Sequence, residues 1–172
     1  VDVWELGNER NSQTVNPRGN QLPERYAEVN VEIYKALKRG NPNCTVLSQG
    51  IARVDNDWME RYLLSEDEPV CDGLAVHPYA GMNTPETDWW PAYMKTMREK
   101  LEEIGHGDKS IWITEFGTSY VKDRTTQQQM GVSHIRVFAH SWAGLADYCM
   151  FHEYSSYGSS YTDNEHFFGI VD

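Results

Sequence analysis

Short runs rich in β-branched and aromatic residues alternate with helical patterns along the whole chain, and this alternation limits the fold more than any other feature. Five runs read as strands: Val1–Gly7, Cys44–Gln49, Val70–His77, Ile111–Phe116 and Leu145–His152. Four helical patterns separate them. From Leu22 to Arg39, apolar residues recur at Leu22, Tyr26, Val29, Ile33 and Leu37, which predicts one buried face, and Gly40 is the stop. Asp57 to Leu64 is shorter and sets Trp58 and Tyr62 on one side. Trp89 to Ile104 carries the stripe Trp90, Met94, Met97, Leu101 and Ile104, with Asp88 as candidate N-cap and Gly105 as the stop. A capping box, Thr125 with Gln128 or Thr126 with Gln129, opens a fourth helix. That helix is expected to turn Ile135, Phe138 and Trp142 inward and to end at Gly144.

Strict β-α order with short turns calls for a parallel sheet flanked by helices, an α/β fold. An open doubly wound sheet and a (β/α)8 TIM barrel both satisfy that order. The open sheet more often places a Gly-rich phosphate turn after its first strand. Here that position holds Asn8-Glu9-Arg10-Asn11. Polar residues also follow three other strands: His77 with Tyr79, then Glu115, then His152, Glu153 and Tyr154. Functional groups at the C-terminal ends of several strands are the habit of the barrel.

Two of these strand ends carry acids in similar settings. In Ser110-Ile111-Trp112-Ile113-Thr114-Glu115-Phe116-Gly117, five of the first seven residues are β-branched or aromatic. An unpaired carboxylate is costly to bury, so Glu115 is expected at the open end of its strand, among other polar groups. Val1-Asp2-Val3-Trp4-Glu5-Leu6-Gly7-Asn8-Glu9 is again a strand-like run ending in an acid, with an amide before it. Two carboxylates at two strand ends suit general acid and nucleophile chemistry.

Composition narrows the classes further. The 172 residues, 40% of them hydrophobic, are enough for one domain with a core. A formal net charge of −11 argues against nucleic acid and anionic membrane partners, and no apolar run approaches a membrane span. Cys44, Cys71 and Cys149 show no CxxC spacing and sit in or beside apolar runs, so they read as buried thiols. The 12% aromatic content suits a site that stacks on flat apolar faces such as those of sugar rings.

Three of these segments carry a resemblance. Trp4-Glu5-Leu6-Gly7-Asn8-Glu9 resembles the fourth-strand motif of clan A glycoside hydrolases, in which an Asn-Glu pair supplies the acid/base glutamate. Ile113-Thr114-Glu115-Phe116-Gly117 resembles their seventh-strand nucleophile motif, and Val76-His77-Pro78-Tyr79 their sixth-strand His-x-Tyr. Families 39 and 5 look nearest, and the Gly-Asn-Glu wording is also similar to families 51 and 79. The resemblance implies a partial catalytic TIM barrel over residues 1–172, strands four to eight, holding about the C-terminal five βα units.

It also implies roles. Glu115 would be the nucleophile and Glu9 the acid/base of a retaining glycoside hydrolase, with Glu9 holding a proton at rest and Glu115 ionised. Asn8 would bind the sugar 2-hydroxyl. Tyr79 would hold the Glu115 carboxylate, and His77 would contact sugar or Glu9. Trp89, His152 and Tyr154 would line the substrate pocket. The partner is then a carbohydrate, with no cofactor and no metal. Two rivals are a metal-dependent barrel hydrolase and a barrel that binds carbohydrate without catalysis. The chain has no His-x-His or His-Glu-x-x-His, which counts against the first. Retention of both glutamates counts against the second. Because Val1 lies inside a strand and five strands do not close a barrel, a missing N-terminal part or a second chain is expected to complete the fold. No compartment is readable, although a polysaccharide substrate would favour a secreted or periplasmic protein.

Overall fold

The computed structural model describes residues 1–15, 22–79, 85–87, 89–120, 126–160 and 162–170. In chain order the elements are β1 (Val3–Glu5), α1 (Pro23–Gly40), β2 (Thr45–Leu47), β3 (Ile51–Ala52), α2 (Asn56–Leu64), β4 (Gly73–His77), α3 (Trp90–Glu103), β5 (Ser110–Ile113), α4 (Gln127–His140) and β6 (Tyr148–Cys149). The strands are all parallel and run β1-β2-β4-β5-β6, with β3 also paired to β4. With one helix between each pair of neighbours along that β1-β2-β4-β5-β6 path, this is half of a (β/α) barrel.

Strand alternation sorts side chains onto two faces. Leu74 and Val76 of β4 and Ile111 and Ile113 of β5 point outward. There they join Trp58, Tyr62, Trp90, Met94, Met97 and Leu101 of the helices in one core. Leu47, Ala75 and Trp112 form a separate cluster on the concave face. Tyr148 of β6 stacks on Trp112 there, ring centroids 3.8 Å apart. His77 lies on the same concave face as Ala75, two residues on, at the C-terminal end of β4.

Helix ends follow local chemistry. Thr126 and Gln129 form a reciprocal capping box at the start of α4, as one of the two expected pairings has it. Asp55 caps α2 by accepting from the Trp58 amide at 3.0 Å. Asp88, the expected N-cap of α3, and Thr125 lie outside the described residues. Gly105, with φ of +81°, follows α3 where a left-handed residue is needed. Cys44 and Cys71 are buried free thiols and Cys149 is half-buried.

The structure corrects four expectations. The strand expected over Leu145–His152 is only Tyr148–Cys149, because α4 ends at His140 and a π-helical turn, Ser141–Leu145, follows it. The strand expected over Cys44–Gln49 does not end there: after a break at Ser48–Gly50 the chain pairs with β4 again through β3. Two residues of strand leave no periodicity to read. On α1 the core-facing residues are Pro23, Ala27, Asn30 and Val31, whereas Val29 and Ile33 face outward. On α4 they are Met130, Ser133, His134 and Val137. Ile135 is 70% and Trp142 91% exposed, while Phe138 keeps an edge contact with Phe116 at 5.3 Å. Both helices are apolar on two sides, and periodicity alone does not say which side meets the sheet. On α4 the choice follows hydrogen bonds: Thr118 donates its amide to His134 Nε2 (3.1 Å) and its hydroxyl to Ser133 Oγ (3.0 Å).

Candidate active site

The C-terminal strand ends converge on His77. β1 ends before a turn at Gly7, whose φ of +123° suits glycine. The chain then returns to the sheet through Gly50: the Gly50 amide donates to Gly7 O at 2.9 Å and the Glu9 amide to Gly50 O at 2.7 Å. Glu9 itself adopts φ of +45°, a left-handed conformation that is uncommon and costly for a residue with a Cβ. Gln49 secures this turn, its Oε1 accepting from the Arg10 amide at 2.6 Å. Asn11 ties the following residues to β3, accepting from the Ala52 amide at 2.9 Å and donating to Ala52 O at 3.1 Å.

The side chains held by these turns form one hydrogen-bonded cluster. His77, fully buried, places Nδ1 3.1 Å from Glu9 Oε1 and 3.7 Å from Glu115 Oε2. Its Nε2 lies 3.1 Å from Thr114 Oγ1 and 3.5 Å from Glu5 Oε1. Tyr79 donates its hydroxyl to Glu115 Oε2 at 2.9 Å. One ligand atom each from Glu9, His77 and Glu115 lies within 4.8 Å of the others, so the two carboxylates share one site.

Electrostatics follow from this crowding. Burial by itself pulls the His77 imidazole down, but hydrogen bonds to Glu5 and Glu9 and the charges of Glu115 and Glu5 raise it to about 9. His77 is therefore cationic at neutral pH. Burial and the adjacent Glu115 push the Tyr79 phenol well up, so it stays a donor. Glu9, His77 and Glu115 are also the one donor set among the described residues that is compact enough to hold a metal ion. The proton on His77 opposes that use, because a ligating imidazole must be neutral.

The remaining expected site residues are spread around this cluster. Asn8 is exposed beside Glu9, its backbone bridged to Gly50. His152 is half-buried and meets Tyr79 and Phe168 edge-on, at 6.5 and 5.6 Å between ring centroids. Trp89 sits against Tyr93, with the Arg53 guanidinium 5.9 Å from its ring centre. Tyr154 is 73% exposed. Sequence reading missed Glu5, Thr114, Gln49 and Gly50. The signal for Glu5 was an acid within a strand-like run, on the face shared with Val3. Gly50 gives no such signal, since its part depends on a contact across strands.

Residues 20–167 match the glycosyl hydrolase catalytic core family. The chain belongs to that family. Solved structures with the same fold include a glucosidase from Croceicoccus marinus, 16% identical with a TM-score of 0.77 over 99% of this chain and 36% of that one. An α-L-arabinofuranosidase from Thermotoga maritima is 16% identical, with a TM-score of 0.64 over 87% of this chain and 33% of that one. A family 44 xyloglucanase from Paenibacillus polymyxa is 14% identical, with a TM-score of 0.65 over 89% of this chain and 42% of that one. At these identities the likeness is one of fold. The chain spans well under half the length of each of these structures. No curated protein matches it in sequence.

Proposed function

We propose that the chain carries the catalytic acids of a clan A retaining glycoside hydrolase, with Glu115 as nucleophile and Glu9 as acid/base. The observation that carries this reading is the approach of the Glu9 and Glu115 carboxylates to within 4.8 Å, through atoms that also meet His77. Retaining enzymes hold their two carboxyls about 5–5.5 Å apart, whereas inverting ones leave room for a water. In the first step Glu115 attacks the anomeric carbon, and the C–O bond to the leaving group breaks as Glu9 gives that oxygen its proton. In the second step a water attacks the same carbon while Glu9 takes the water's proton, and Glu115 is released. Tyr79 holds the attacking carboxylate by its hydrogen bond, and His77, buried away from solvent, acts on the acids. Asn8 lies beside Glu9, where it would bind a sugar hydroxyl next to the reacting carbon. Trp89, His152 and Tyr154 belong to the substrate walls in this reading.

The reading includes a partner for the open sides. Among the described residues, β1 at one end of the sheet and β6 at the other each pair on one side only. Unpaired strand edges and apolar helix faces call for cover. Further β/α units, in the same polypeptide or in a second chain, would supply it and the rest of the substrate pocket.

Activity on chromogenic aryl glycosides tests the assignment. Glu9→Gln and Glu115→Gln are each expected to lower kcat by about 100-fold or more. On an aryl glycoside whose leaving group needs no acid, Glu9→Gln should accumulate a covalent glycosyl adduct on Glu115, read by intact mass. Undiminished turnover by the double variant would sink the assignment.

A further inference from the structure

Glu5 is the third carboxylate around His77, and no role in bond making or breaking falls to it. Its Oε1 lies 3.5 Å from His77 Nε2, opposite the Nδ1 side that meets Glu9 and Glu115. β1 presents Glu5 on the concave face, in register with Leu47 of β2. Glu5 stays partly open to solvent, and Gly50 lies against the other side of the contact: a Cβ there would strike the His77 imidazole and come within 2.6 Å of Glu5 Oε1. Ring, carboxylate and glycine backbone thus form one unit in which no side chain fits at position 50.

We propose that Glu5 is a positioning residue that keeps His77 donating on both sides, so that Nδ1–H stays directed at Glu9 and Glu115 throughout the reaction. The proposal rests on the glycosidase reading above. A neutral imidazole carries one N–H and can donate on one side only, whereas an imidazolium donates on both. In the proposed cycle, two of the three carboxylates lose their charge in turn. Glu9 is neutral while it holds the proton for the leaving group, and Glu115 is neutral while it is esterified to sugar. Glu5 reacts at neither stage and is the constant anion of the cluster. The other groups facing His77 do not replace it. Thr114 offers a neutral hydroxyl, Tyr79 a phenol already committed to Glu115, Gly50 only backbone, and Arg53 its amide, which donates to His77 O at 3.0 Å.

Titration of the His77 ring nitrogens by NMR, on the whole chain without substrate, tests the proposal. The signal is assigned by its loss in His77→Asn. In Glu5→Gln, which keeps the shape and the hydrogen-bonding capacity of the side chain, the midpoint is expected to fall by about one pH unit or more. A purely structural role would leave it unmoved, and an unmoved midpoint overturns the proposal. Should Glu5→Gln not fold, the unaltered chain still decides: a His77 midpoint at or below the ordinary 6.5 overturns it. In an active sample the alkaline limb of the pH–kcat profile should move to lower pH in Glu5→Gln. The titration needs no turnover, so failure of the glycosidase reading and failure of this proposal are separate results.

Discussion

Tyr79 donates its hydroxyl to Glu115 Oε2 at 2.9 Å, from a strand end next to the one that carries the acid. The pair lies across the β4–β5 seam, where the parallel register fixes how far apart the two side chains start. A hydrogen bond to a charged acceptor contributes about 1.5–3 kcal/mol, so Tyr79→Phe is expected to lower kcat about 10- to 100-fold. Kinetics on an aryl glycoside, with the fold checked by circular dichroism, give the answer. Unchanged kcat would show that the bond to Glu115 does not serve turnover.

His77 makes stability depend on alkaline pH. Its folded-state value is raised from 6.5 to about 9, so the charged form favours the folded chain. That contribution is full below pH 6.5 and is lost as pH rises through about 9. Urea midpoints measured across this window should fall more steeply for the unaltered chain than for His77→Gln. Parallel slopes would contradict the ion-pair cluster.

The core under α3 should respond as a tightly packed one. Leu101 is fully buried with Trp90, Met94 and Met97. Leu101→Ala is expected to cost about 2–5 kcal/mol, read from chemical denaturation.

The capping box of α4 sits on an exposed helix end, where its effect is separable from packing. Thr126 Oγ1 accepts from the Gln129 amide at 3.1 Å, and Gln129 Oε1 from the Thr126 amide at 2.8 Å. Thr126→Ala should destabilise by about 0.5–2 kcal/mol, and Thr126→Ser should restore most of that.

The outward apolar surface formed by Ile135 of α4 and by Trp142, in the turn that follows it, should govern association more than stability. Trp142 and Ile135 are largely solvent-facing, so Trp142→Ser with Ile135→Ser should change unfolding free energy by only about 0.5 kcal/mol per site. Sedimentation should show less concentration-dependent association in this variant. No change would mean that this face is not where the chain seeks cover.

The sequence by itself determined the order of the five strands it read and of the helices between them, the stripe of α3, a capping box at Thr125 or Thr126 and the strand ends at Glu9, His77 and Glu115. All of these depend on near neighbours in the chain: alternation within a run, a 3.6-residue period, a side chain reaching back three residues. Two-faced helices such as α1 and α4 defeated it, because either side satisfies the period and only the neighbouring elements choose between them. Tertiary structure also decided the inside of the site. Glu5 and Gly50 meet His77 only because β1, β2 and β4 lie side by side in one register, bringing residues far apart in the chain within a few ångströms. No local pattern records a contact of that kind. It exists only once parallel pairing has placed the strand ends on a common rim.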